Sequence, residues 1–151
     1  CDWGPTALLP VFQLLGTDYR EKQIITHYAD GAKTYDAFSR VNFVYKDAMA
    51  SIQVGKGIKS EGDLVVSGTE GYIYVPAPWW KTDYFEIRYE NPANNKRYFY
   101  QLDGEGIRYE IVAFLKSIED GRDNSYVDRE VSKAIAGTVE DFYQKKDVRE
   151  I

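Results

Sequence analysis

The chain has a single cysteine, a single histidine and no run of about 18 apolar residues, and each shortage excludes something. One thiol, Cys1, cannot build an internal disulfide framework and agrees with a reducing compartment. No cluster of His, Cys, Asp and Glu has metal-ligand spacing, so no metal is expected. Without a long apolar run no helix can span a bilayer. The formal charge of −5 comes from intermixed acids and bases with no Lys/Arg block, which leaves no footprint for nucleic acid or an anionic membrane. Nor does any Gly-x-Gly-x-x-Gly follow a strand, so a dinucleotide-binding turn is absent. A soluble, cytoplasmic protein with neither kind of partner is the expectation.

What is present is aromatic. Thirteen tyrosines, seven phenylalanines and three tryptophans favour strands and interfaces, where rigid amphipathic rings supply area. At 151 residues the length suits one domain with one core.

The chain opens on a helix. Leu8, Val11, Phe12 and Leu15 recur at i, i+3, i+4 and i+7, Asp2 and Pro5 suit its start, and Gly16 suits a left-handed C-terminal cap. Pro10 is expected to kink or split it. Candidate strands follow at Lys22–Tyr28, Tyr35–Tyr45, Ala48–Val54, Asp63–Ser67, Tyr72–Val75, Tyr84–Tyr89 and Lys96–Leu102, divided by turn residues such as Asp30-Gly31, Gly68-Thr69-Glu70-Gly71 and Asn91-Pro92. Phe85, Ile87 and Tyr89 alternate with Glu86, Arg88 and Glu90, predicting one packed and one wet face. Two amphipathic helices close the chain. Ile107, Ile111, Phe114, Leu115 and Ile118 form the stripe of the first, which ends near Gly121. Val131, Ala134, Ile135, Thr138, Val139 and Phe142 form that of the second, with Ser125 or Asp128 as N-cap and an Asp141–Lys145 pair outside. Both stripes are read as core. The expected fold is α+β: an open, mostly antiparallel sheet of about seven strands, with one N-terminal and two C-terminal helices covering one face.

Few residues carry a chemical signal on their own. His27 lies in a strand with no acidic partner in view, and a packing histidine is the better reading than a base. Trp79-Trp80, after Pro76-Ala77-Pro78, are candidates for a sugar-stacking platform. They suit equally a cover for a sheet edge or a subunit contact. Gly55-Lys56-Gly57 reads as a hairpin turn rather than a phosphate cradle. Cys1 is read as an inert residue at which a fragment begins, against a lipid anchor or an N-terminal nucleophile, which needs a base arrangement.

The ordered series of an Asp-x-Gly helix opening, a strand meander, Ser67-Gly68-Thr69-Glu70-Gly71-Tyr72-Ile73, then Gly104-Glu105-Gly106 leading into Tyr109-Glu110 and Phe114, and the ending Asp141-Phe142-Tyr143-Gln144-Lys145-Lys146-Asp147 resembles the C-terminal, substrate-side domain of Gfo/Idh/MocA-type oxidoreductases. That resemblance implies a parent enzyme that moves hydride between NAD or NADP and a carbon bearing a hydroxyl on a sugar, polyol or related small molecule. The cofactor would bind mainly outside this chain. The family carries an aspartate at the opening of this first helix, and Asp2 matches it as the candidate catalytic residue. Four residues on the family has His or Tyr; here it is Thr6, too weak an acid or base for proton transfer but able to hydrogen-bond a substrate hydroxyl. The family's catalytic lysine lies in a segment this chain does not contain, so this fragment alone is expected to be inactive.

Self-association to a homodimer or higher homo-oligomer is expected through the uncovered sheet face, where Tyr72, Tyr74, Phe85, Tyr98 and Tyr100 suggest remaining apolar area. The competing readings are a non-catalytic sensor or scaffold relative, favoured by Thr6, and a carbohydrate-binding β module using Trp79 and Trp80. The two final helices argue against the module.

Overall fold

The computed structural model describes residues 3–104 and 106–151. The chain divides into two compact units, Cys1–Lys59 with Tyr126–Ile151, and Ser60–Ser125.

In the first unit, α1 (Gly4–Leu15) starts with Pro5 in its first turn and runs through Pro10 as one helix. The kink or split expected at Pro10 is not seen. Proline there deletes only the bond to the Thr6 carbonyl, and packing of Leu8, Val11 and Phe12, each at most 8% exposed, outweighs one missing bond. Gly16 ends the helix at φ 79 and ψ −177, with its N–H on the Phe12 carbonyl. Its φ has the expected sign, but the ψ puts it outside the left-handed helical region.

β1 (Glu21–Tyr28), β2 (Asp36–Val44) and β3 (Met49–Gly55) form an antiparallel meander, to whose β1 edge β8 (Val148–Glu150) adds in parallel, giving the order β3-β2-β1-β8. Alternation points Lys22, Ile24 and Thr26 of β1 inward. With Val41, Phe43 and Tyr45 they meet α1 and the face of α3 (Arg129–Tyr143) carrying Val131 and Phe142, which is the core. Phe12 packs edge-to-face on Phe43, centroids 5.2 Å apart. Asp128 caps α3 by accepting the Glu130 N–H. The Gly55-Lys56-Gly57 segment is not a hairpin turn: β3 does not pair with the next strand, and the Gly57 N–H returns to the Ala37 carbonyl.

The second unit is a four-stranded antiparallel meander of β4 (Leu64–Ser67), β5 (Gly71–Val75), β6 (Tyr84–Tyr89) and β7 (Lys96–Phe99), followed by α2 (Ile107–Asp120). Gly68 and Gly71 close the first hairpin through an N–H to carbonyl bond of 2.8 Å. A Cβ on Gly71 would lie 2.5 Å from the Arg88 carbonyl oxygen, so strand approach demands glycine there. α2 ends at Gly121 in the left-handed conformation, as the sequence indicates.

The fold class is the expected α+β, with eight strands among the described residues, mostly antiparallel. The strands pair into two four-stranded sheets instead of one, and β8 had no signal beyond a Val-Arg-Glu stretch. The apolar stripe of α2 is not core. Ile107, Ile111, Phe114, Leu115 and Ile118 are each more than half exposed, and Ala113 is the buried residue of the helix. On the second sheet, pairing of Tyr72 with Arg88 and of Tyr74 with Glu86 puts those tyrosines on the polar face of β6, opposite to Phe85 and Tyr98. The five aromatics expected on one open face therefore do not share it.

Candidate functional site

Thr6 sits in the first turn of α1, exposed. Because Pro10 has no N–H, the Thr6 carbonyl lacks the donor an unbroken helix supplies, so hydroxyl and carbonyl offer a donor and an acceptor on one exposed turn. Asp2, the proposed catalytic residue, lies outside the described residues, as does Glu105 of the Gly-Glu-Gly junction. Next to Thr6, Pro5 lines an open groove of about 600 Å³ with Ile135, Ala136, Val139 and Tyr143 of α3. Glu140 is the single ionisable carboxylate on its wall, so the groove offers apolar contact and no acid–base pair.

Trp79 and Trp80 occupy the β5–β6 connection of the second unit, after a cis Ala77–Pro78 bond. Their rings are perpendicular, at 88° with centroids 5.9 Å apart. They cannot form one flat platform. Trp80 is 47% exposed, and its six-membered ring lies against Gly62, where a Cβ would stand 3.7 Å from two ring carbons. The Trp79 N–H donates to the Gly62 carbonyl at 3.0 Å. One ring is thus seated on the backbone with area left open, and the other braces it. Sequence reasoning missed this seat, because Gly62 is separated from the tryptophans by β4 and β5.

His27 is exposed on β1, with Nδ1 2.9 Å from the Ile151 backbone oxygen. That contact ties the residue after β8 to β1. On the second sheet, Glu86 accepts from both Arg97 and Arg88, which hold its carboxyl below the usual range, Arg97 the more strongly. Arg88 lies 4.3 Å from the centroid of Tyr74, and Arg97 lies 4.8 Å from that of Tyr84. These charges are satisfied by one another.

Among the described residues no group of His, Cys, Asp and Glu is placed to hold a metal, and no helix is long and apolar enough to cross a membrane. Gly104 and Gly106 do precede a helix, but the third glycine of a phosphate-binding turn is replaced by Tyr109, whose hydroxyl accepts the Asp103 N–H at 2.9 Å. That side chain ties down the backbone a pyrophosphate would need to approach.

No family model matches the chain, and no curated protein matches it by sequence. Solved structures do match in three dimensions. KijD10, a 3-ketoreductase from Actinomadura kijaniata solved with NADP and TDP-benzene, superposes with a TM-score of 0.76 at 13% identity, over 99% of this chain and 46% of its own. A "putative oxidoreductase" from Klebsiella pneumoniae gives 0.71 at 13% identity, over 97% and 47%. The YPO2259 "putative oxidoreductase" from Yersinia pestis gives 0.67 at 15%, over 96% and 48%. The chain spans about half the length of these oxidoreductases and has the fold of that half, which is the fold the Gfo/Idh/MocA resemblance implies.

Proposed function

We propose that this chain is the substrate-binding and oligomerisation domain of a cytoplasmic NAD(P)-dependent oxidoreductase of the Gfo/Idh/MocA type, acting on a hydroxyl of a sugar, polyol or related small molecule. The observation that carries the reading is the match of nearly the whole chain to about half of an NADP-bound ketoreductase. The absence of a dinucleotide turn from the sequence agrees, since the nicotinamide would be held by the other half.

In the parent, a nicotinamide bound by the other half would supply or accept the hydride at the hydroxyl-bearing carbon of the substrate. This chain's residues bind and orient that substrate. In the first unit Thr6 donates to a substrate hydroxyl and Asp2 orients the proton-transferring group; in the second unit the open area of Trp80, braced by Trp79, is by itself a surface for the CH-rich face of a sugar ring. Homodimers or higher oligomers form through an open sheet face.

A panel of pyranoses and polyols assayed with the full-length protein by reduced-nicotinamide absorbance tests this. Thr6→Ala is expected to lower kcat/KM for the best substrate by about 0.5–1.5 kcal/mol, the net value of one neutral hydrogen bond, with an unchanged pH profile. Trp80→Ala should raise KM more than it lowers kcat. A second reading, a non-catalytic ligand sensor, is favoured by the threonine at position 6. Ligands that raise the melting temperature with no turnover under any condition would establish it in place of catalysis.

A further inference from the structure

α2 is inverted relative to an ordinary surface helix. Ala113 is its buried residue, Tyr109 and Ser117 one turn to either side are half-buried, and its large apolar residues face outward. Ile107, Ile111, Phe114 and Ile118 are 64%, 52%, 65% and 64% exposed. Their spacing of 4, 3 and 4 is the a/d seam of a two-helix coiled coil, flanked by Leu115. Leaving such a seam in water forfeits most of its burial energy.

The charges beside the seam indicate what covers it. Arg108 and Glu119 are eleven residues apart, three turns, so they lie along the same edge of the helix. Two copies of α2 packed antiparallel about a two-fold axis near Val112 and Ala113 set Ile107 opposite Ile118 of the second copy, and Ile111 opposite Phe114. Like edges face each other in that arrangement. Arg108 of each helix then meets Glu119 of the other, twice by symmetry. Arg108 already pairs with Asp103 with its side chain 55% exposed, and a guanidinium has donors for a second carboxylate. Glu119 is exposed and has no ion pair among the described residues. In a parallel two-fold pairing the Arg108–Glu119 edges lie on opposite sides of the seam and do not meet.

We infer that the outward face of α2 is a self-association surface, occupied by α2 of a second copy in antiparallel, two-fold register. The contact is separate from the sheet face proposed above for oligomerisation. A seam of three turns buries less than the roughly 800 Å² per partner of a standard interface, so association in the tens of micromolar is expected, with Arg108 and Glu119 fixing the register.

Sedimentation of the intact chain from about 1 to 200 µM, with charge reversals, tests it. Arg108→Glu and Glu119→Arg each place like charges across both ends of the seam. Each alone should weaken the α2-dependent association step at least about tenfold, without loss of helical signal. Mixed in equal amounts, the two variants should associate with each other as the native chain does with itself, because each supplies the charge the other lacks. A chain that shows no association step up to 200 µM overturns the inference. So does association that neither reversal weakens, which is the behaviour of pairing through the sheet alone, and so does a mixture that associates no better than its components.

Discussion

The Lys22 ammonium, pointing inward from β1, donates to the Asp141 carboxylate on α3 and so ties the inner face of the first sheet to its covering helix. The Lys22 side chain is 2% exposed and that of Asp141 19%. Lys146 approaches the other carboxylate oxygen at 3.4 Å. The i,i+4 partner expected from the sequence, Lys145, bonds Glu150 of β8 instead, at 3.1 Å. The Lys22 hydrogen bond is the main cause of an Asp141 carboxyl held below its ordinary value.

Removing one member of this pair strands a buried charge. Asp141→Asn is therefore expected to cost about 3 kcal/mol, and Lys22→Met with Asp141→Leu to recover much of it. Because the folded-state value is lowered, the stabilisation is fully present above the unfolded value near pH 4 and is lost as pH falls through the folded value. Denaturant titrations at pH 7 and pH 3 check both points. The native chain should lose stability between them by more than the Asp141→Asn variant does.

Gly71→Ala is expected to destabilise by about 1–3 kcal/mol, since its Cβ would be forced to within 2.5 Å of the Arg88 carbonyl. Gly31→Ala meets nothing within 4 Å and should be nearly silent. Thermal melts of the two variants, followed by far-ultraviolet circular dichroism, separate them.

Glu86→Gln removes the negative charge shared by Arg88 and Arg97 and leaves one acceptor oxygen in place of two. The second sheet should then melt earlier at pH 7. The difference from the native chain should close as the pH falls and the native carboxyl is protonated, because its folded value is the depressed one. Amide exchange across β5 to β7 reads this locally.

The first-unit elements were legible because their patterns are local. Alternation in β1, the i, i+3, i+4 stripe of α1 and the Asp128 cap each act within a few residues. β8 was not legible, since a three-residue strand draws its stability from the β1 edge and from the Lys33 and Lys145 contacts to Glu150 rather than from propensity. α2 misled in a different way. Periodicity reveals a stripe of apolar residues but not whether anything in the same chain covers it. At the candidate site, Trp79 and Trp80 could be named from their residue type, but their perpendicular setting could not, because it depends on Gly62 across two strands.

Calorimetric titration of NADPH and NADH into this chain and into the full-length protein, side by side, decides whether the nicotinamide is held outside this domain. No saturable heat is expected with the chain alone, and micromolar binding of one cofactor is expected with the full-length protein. Saturable micromolar binding by the isolated chain, or none by the full-length protein, would contradict that expectation.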